Sequence, residues 1–323
     1  MVKCSIQIFL SVSLLIATMV NLASGQTYPV KPVRMLVGFS PGGGVDFMAR
    51  SVSPRLAQAF GQQFVVDNRS GANGMIAADI TEKSPPDGHT LLVAPGNYAF
   101  ASAMEKLPLD MTTAFAAVGQ MVDSPLLVVV HPSLPVKSIK DLIALARSQP
   151  NSLAYGSGGV GGAGHMATEL FKSMAKVNLR HIPFKGVGPA LTDAIAGHVP
   201  VCFCTLPTTL PQARAGRLRA LAVTTSNRTS AAPDIPTVAE AGVSGYEMSQ
   251  WYGILAPAGT PTAILGRLST EINNALAQPE LRASLVAAGA DPVKSSPQEF
   301  GLFFKQEIEK WTRIVKVAGI RPE

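Results

Sequence analysis

The chain is poor in the residues that most often carry chemistry. Of 323 residues only 3 are Cys, 5 are His and 2 are Trp, and charged residues make up 15%. Cys202 and Cys204 form Cys-x-Cys in the strand-like run 199–205, where alternation puts both thiols on one face. Even with the nearby His198 they fall short of a metal ligand set, and two small residues packed in a strand is the simpler reading. No basic run with interleaved aromatics exists, since the densest stretch, Arg214 to Arg219, holds three arginines, which argues against nucleic acid as a partner. The net charge of +6, or +5 once Lys3 is removed (6 − 1), is mild and suits a small anion. After Val20 no apolar run is long enough to cross a bilayer.

The one long apolar run, Ile6 to Val20, follows Met1-Val-Lys3 and precedes the small residues Ala23 and Gly25. That order reads as a signal peptide over 1–25, cleaved near Gly25-Gln26, with a retained anchor as the alternative. Cys4 lies in the charged region, not after the apolar core, so no lipoprotein site is present. The mature protein is expected to be exported and soluble, long enough for two domains.

What the chain does have is glycine, in two turns that each follow a strand-like run and open a helix-like run. The first is Phe39-Ser-Pro-Gly-Gly-Gly-Val-Asp46 and the second Gly156-Ser-Gly-Gly-Val-Gly-Gly-Ala-Gly-His165. A helix start offers unpaired N–H groups and the positive end of the helix dipole, and glycine lets backbone come close to a ligand. Two such starts suggest one anion held between two lobes.

Strand-like and helix-like runs alternate almost throughout, which predicts an α/β fold with mainly parallel sheets. Strands are expected at 33–37, 63–68, 89–93, 126–130, 152–155, 178–183, 199–205 and 218–224. Helices are expected at 45–60, 74–83, 138–148, 164–175, 189–197, 262–276, 279–288 and 297–318. Ser138 and Asp141 form a capping box. The stretches 120–132 and 246–257 read as strand-like crossovers between lobes, stiff hinges that permit closure. They divide the mature chain into 26–124 plus 249–323 as domain 1 and 125–248 as domain 2.

Enzymatic readings are weaker. Gly156-Ser-Gly-Gly-Val-Gly161 fits G-x-G-x-x-G, but the next strand ends at Lys185 with no carboxylate for a ribose. The Gly-Lys-Ser/Thr ending of a P-loop is absent. Ser157 and His165 share a loop without the G-x-S-x-G elbow. Asp46 sits at a helix start, where capping is the simpler role than catalysis. Trp251 and Tyr252 could wall a pocket or pack the hinge. Lys185 is the nearest candidate cation, with a solvated surface lysine as the alternative. No catalytic residue, metal or cofactor is expected.

The ordered set Tyr28-Pro-Val-Lys-Pro-Val-Arg34, Pro41-Gly-Gly-Gly-Val-Asp46, Asp67-Asn-Arg-Ser-Gly-Ala72, Pro86-Asp-Gly-His-Thr90, Ser157-Gly-Gly-Val-Gly161, Pro183-Phe-Lys-Gly186, Pro236-Thr-Val-Ala-Glu-Ala-Gly242 and Ala256-Pro-Ala-Gly-Thr-Pro261 resembles the solute receptors of tripartite tricarboxylate transporters, the Bug family. The resemblance covers essentially the whole mature chain. It implies a two-lobed periplasmic-binding-protein fold (type II-like), with two double-crossover-linked α/β domains and a cleft between them. It implies a monomeric periplasmic receptor that closes on a small mono-, di- or tricarboxylate and delivers it to membrane permease subunits. Presentation to a two-component sensor, or an exported enzyme, are the alternatives. Carried over by position, the ligand-binding residues are Phe39, Ser40, Pro41, Gly42, Gly43 and Asp46 in the first loop, and Ser157, Gly158, Gly159, Gly161 and His165 in the second. Asn97, Lys185 and Thr205 join them as cleft candidates. Relatives often carry an acidic residue before the Leu-Pro that is here Leu206-Pro207. Its replacement by Cys204-Thr205 weakens an amino-acid ligand.

Overall fold

The computed structural model describes residues 28–104, 107, 109–184 and 186–318. The expected signal peptide, its cleavage point and Lys185 lie outside the described residues. In chain order the elements are β1 (Val33–Val37), α1 (Gly44–Phe60), β2 (Phe64–Asn68), a 3-10 turn (Ala72–Gly74), α2 (Met75–Glu82), β3 (Thr90–Pro95), α3 (Asn97–Met104), β4 (Phe115–Asp123) and β5 (Leu126–Val130). Then come α4 (Ile139–Ser148), β6 (Ala154–Ser157), α5 (Ala163–Ala175), β7 (Arg180–Pro183), α6 (Val187–Ala196), β8 (Val201–Thr205), α7 (Leu206–Arg214) and β9 (Arg219–Val223). The chain ends with β10 (Tyr252–Pro257), α8 (Thr262–Ala277), α9 (Pro279–Ala287), β11 (Asp291–Pro292) and α10 (Pro297–Ala318).

Two sheets make two lobes. The first runs β11-β4-β10-β3-β1-β2 and the second β7-β6-β8-β5-β9. Helices cover both, as the buried strand runs require: every residue of β5 is buried, as is every residue of β10. In α1 the residues Val45, Met48, Ala49, Val52, Leu56 and Phe60 recur at helical spacing and are all buried. Each large one contributes roughly 1.5–3 kcal/mol on burial. Gly61 ends the helix at φ 67°, in the left-handed region that favours glycine. Ser138 caps α4 as the sequence predicts, its Oγ accepting from Asp141 N at 3.1 Å while the Asp141 carboxylate accepts from Lys137 N at 2.9 Å.

The expectation of mainly parallel sheets needs correction. β1 pairs in parallel with β2 and β3, and β6 with β7 and β8. β10 is antiparallel to both β3 and β4, and β5 to both β8 and β9. The antiparallel strands are those that meet the crossovers, because a strand arriving from the opposite lobe enters the sheet against the run of its neighbours. Between the lobes the two crossings pair with each other: Ser124 N donates to Gln250 O at 3.1 Å, and Gln250 N to Ser124 O at 2.8 Å. The stretches around 124 and 250 are thus hydrogen-bonded to each other, not free linkers.

Trp251 and Tyr252 part company. Trp251 is fully buried and meets Phe300, Phe303 and Phe304 of α10 edge-on at ring-centroid distances of 5.5 to 5.8 Å. Tyr252 turns the other way, to the cleft. Cys202 and Cys204 face one way, as alternation demands, but they are joined as a disulfide, not merely packed. Among the described residues no cluster of His, Cys, Asp and Glu could hold a metal, and no helix is long and apolar enough to cross a membrane.

Candidate functional site

Strand ends and helix starts from both lobes surround one cavity of about 570 Å³. From the first lobe come Phe39, Gly43, Gly44, Val45, Asn73, Asn97, Gln250 and Tyr252. From the second come Leu126, Gly158 to Val160, Gly162 to Gly164, Gly186, Val187 and Phe203 to Thr205. The starts of α1, α3, α5 and α6 all open on it, so unpaired N–H groups and positive dipole ends face the same space. None of the described lining residues is Asp, Glu, Lys, Arg or His.

The first loop is braced from behind by Asp46. Its carboxylate accepts from Gly42 N at 2.9 Å, from Arg50 Nε at 3.0 Å and from Asn68 Nδ2 at 3.0 Å. Asn68 Nδ2 also donates to Phe39 O, tying both ends of the turn to β2. Burial pushes the Asp46 carboxyl up, but the hydrogen bonds from Arg50, Gly42 and Asn68 and the Arg50 charge outweigh it and hold the group below its ordinary value. Asp46 is therefore an ionised brace, buried and facing away from the cavity.

The second loop hangs on two histidines. Ser157 Oγ lies 2.7 Å from His181 Nε2 and accepts from Gly159 N at 3.2 Å. Gly161 N donates to His165 Nδ1 at 3.1 Å, and Gly162 N to Gly159 O at 3.2 Å. The rings of His165, His181 and Tyr155 stack in a column, with centroids 4.2 and 4.8 Å apart. The Tyr155 hydroxyl donates to Glu169, which Lys172 also holds at 2.7 Å. Burial, with the His181 charge adding to it, lowers His165 to about 4, so at neutral pH it is a neutral acceptor for the loop. Gly164, in the first turn of α5, permits the helix to sit on β8, since a Cβ there would lie 2.5 Å from Phe203 O.

Of the sequence-predicted residues, Phe39, Gly43, Asn97, Gly158, Gly159 and Thr205 line the cavity together. Ser40, Pro41 and Gly42 are exposed in the first loop and do not line it. Asp46, Ser157, Gly161 and His165 stand behind the two loops as supports. Sequence reasoning missed Asn73, Leu126, Val187, Phe203 and Gln250, while Tyr252, read as walling a pocket or packing the hinge, does line the cavity. Gly186-Val187 opens α6 after β7, a third strand-to-helix glycine that carries the same signal as the two loops. Asn73, at φ 51°, belongs to an Asn-Gly turn, which the sequence also displays. Gln250 donates from Nε2 to Asn97 Oδ1 at 3.1 Å, joining the crossing to the start of α3. Burial pushes the Tyr252 hydroxyl up to about 12, offset in part by Gln250, so it is a neutral group beside Gly44.

The profile of the tripartite tricarboxylate transporter family receptor matches residues 48–320. The chain belongs to that family. It is 36% identical over 301 residues to the protein BugT of Bordetella pertussis, covering 92% of both chains. Among solved structures it is similar to the R. palustris protein Rpa4515 with adipate, at 40% identity and a TM-score of 0.82, covering 92% of this chain and all of that one. It is also similar to MatC from Rhodopseudomonas palustris with bound malate, at 30% identity and a TM-score of 0.78, covering 89% and 100%. Solved members of the family are periplasmic binding proteins, so the two lobes and their cleft are those of a solute receptor and not of an enzyme.

Proposed function

We propose that this receptor closes its two lobes on a small organic carboxylate in the periplasm and hands it to the permease subunits of a tripartite transporter, acting as a monomer after cleavage near Gly25-Gln26. The observation that carries the reading is the cavity itself, ringed by helix starts from both lobes and lined by no described Asp, Glu, Lys, Arg or His. Backbone N–H groups and dipoles then supply the grip on a carboxylate. Phe39, Gly43, Asn97, Gly158, Gly159 and Thr205 touch the ligand in this reading. Ser40, Pro41, Gly42, Asp46, Ser157, Gly161 and His165 shape the loops that hold it, and Lys185 is the candidate cation beside Gly186. The adipate bound to the Rpa4515 relative supports the ligand class.

The test is calorimetry with adipate and its diamide at neutral pH. Helix starts stabilise negative charge, so the acid should bind at least tenfold more tightly, a difference of about 1.4 kcal/mol. Equal affinities would remove the carboxylate assignment.

A further inference from the structure

Seven of the side chains on the cavity wall present large carbon surface: Phe39, Val45 and the ring of Tyr252 on the first lobe, Leu126, Val160, Val187 and Phe203 on the second. The polar groups among the described lining side chains are neutral, those of Asn73, Asn97, Thr205 and Gln250 and the Tyr252 hydroxyl. The anion-attracting groups are thus backbone N–H groups at the loop ends, while much of the remaining wall is carbon. We infer that the receptor selects acids with an unbroken carbon body of about four or more carbons, chain or ring, over short hydroxylated polyacids. This deepens, and rests on, the reading of the protein as a carboxylate receptor.

The physical reason is desolvation on both sides. A methylene or ring carbon that displaces water from Phe39, Val160 and Val187 gains the apolar burial of ligand and wall together. A hydroxyl or further carboxylate set against the same carbons gives up its water, meets no described cation, and has only the neutral groups of Asn73, Asn97, Thr205, Gln250 and Tyr252 to compete for. Apolar wall residues stand on both lobes, so closing the cleft brings carbon against the ligand from two sides.

The experiment is calorimetry on the mature protein with butyrate, hexanoate and octanoate, beside phenylacetate, malate, citrate and adipate. Affinity should rise about fourfold per added methylene until the 570 Å³ cavity is filled. Malate and citrate should bind at least tenfold more weakly than hexanoate and phenylacetate. A flat chain-length series, or malate or citrate tighter than hexanoate, overturns the inference and leaves the receptor reading standing. No binding by any of the seven acids overturns both. A second variant isolates the wall: Val187→Thr keeps the shape and replaces a methyl by a hydroxyl. It should weaken hexanoate at least threefold with an unchanged melting temperature, and unchanged affinity would remove Val187 from the carbon wall.

Discussion

Replacing Gly159 by alanine separates the grip from the fold. Gly159 has φ 130°, a backbone region that side chains rarely adopt, and a Cβ placed there meets only Phe184 O, at 3.4 Å. The cost is therefore backbone strain and not collision, on the order of 1–3 kcal/mol. Gly159 itself is held by few bonds: its N to Ser157 Oγ at 3.2 Å, and its O accepting from Gly162 N at 3.2 Å and from Ser157 Oγ at 3.1 Å. Bonds of that kind are worth about 1 kcal/mol apiece. Strain and restraint are of equal size, and the loop is half-buried at the mouth of the cleft, so Gly159→Ala should relax the turn and carry its N–H groups off target. Losing about 1.4 kcal/mol of binding is a tenfold rise in Kd, measurable by titrating adipate in a calorimeter. The control is Gly216→Ala. Gly216 also has positive φ, 72°, with nothing within 4 Å of an added Cβ, and it lies off the cavity. It should lose stability of similar size and keep its affinity. If both variants bind adipate like the parent, the second glycine loop does not grip the ligand.

Other outcomes follow from the same structure. Burial pushes the Asp123 carboxyl up to about 6, against the Ser249 hydrogen bond and with help from the Glu307 and Glu247 charges. A raised carboxyl contributes stability below its ordinary 3.8 and loses it as pH rises through 6, so Asp123→Asn should gain up to about 3 kcal/mol over the parent at pH near 7.5 and nothing near pH 3.5 in thermal melts. A gain of equal size at both pH values would count against the buried charge. His165 is the opposite case: lowered to about 4 from 6.5, it contributes stability above 6.5 that is lost as pH falls through 4. His165→Gln should flatten that part of the stability profile, and an unaltered slope would refute the buried neutral ring. Adipate at saturation should reduce the radius of gyration in X-ray scattering, because contacts from both lobes coexist only in the closed form. Superimposable curves would sink the hinge.

The parts of the fold legible in the sequence are those whose signal is local. β1, β5 and α10 lie where the apolar runs and the helical pattern put them, and α1 differs by one residue at its start. α3 and α7 were not legible. α7 contains Pro207 and Pro211 and two threonines, a composition that argues against a helix. It is held by burial of Leu206 and Leu210 and by Thr209 Oγ1 donating to Thr205 O at 2.8 Å. β10 and residues 120–123 of β4 read only as strand-like crossovers, and 115–119 do not read as strand, because pairing of strands so far apart leaves no local mark. The site divides in the same way. The glycine loops announce themselves through turn chemistry, whereas Leu126, Gln250 and Tyr252 reach the cavity only because the two crossings pair. The disulfide follows from strand alternation plus proximity, and spacing alone left simple packing as the reading.

The place of β10 has a consequence for synthesis. β10 lies between β3 and β4, so the first sheet lacks an inner strand until Tyr252 and its successors have been made. The second sheet draws all five of its strands from a continuous stretch, Leu126 to Val223. As the chain emerges from its N-terminus, β3 and β4 present open edges that cannot pair across the gap, while the later-made half can finish first. A polypeptide cut short before Tyr252 would hold a complete second sheet and an unfinished first one, and the last lobe to become native is the one that began the chain.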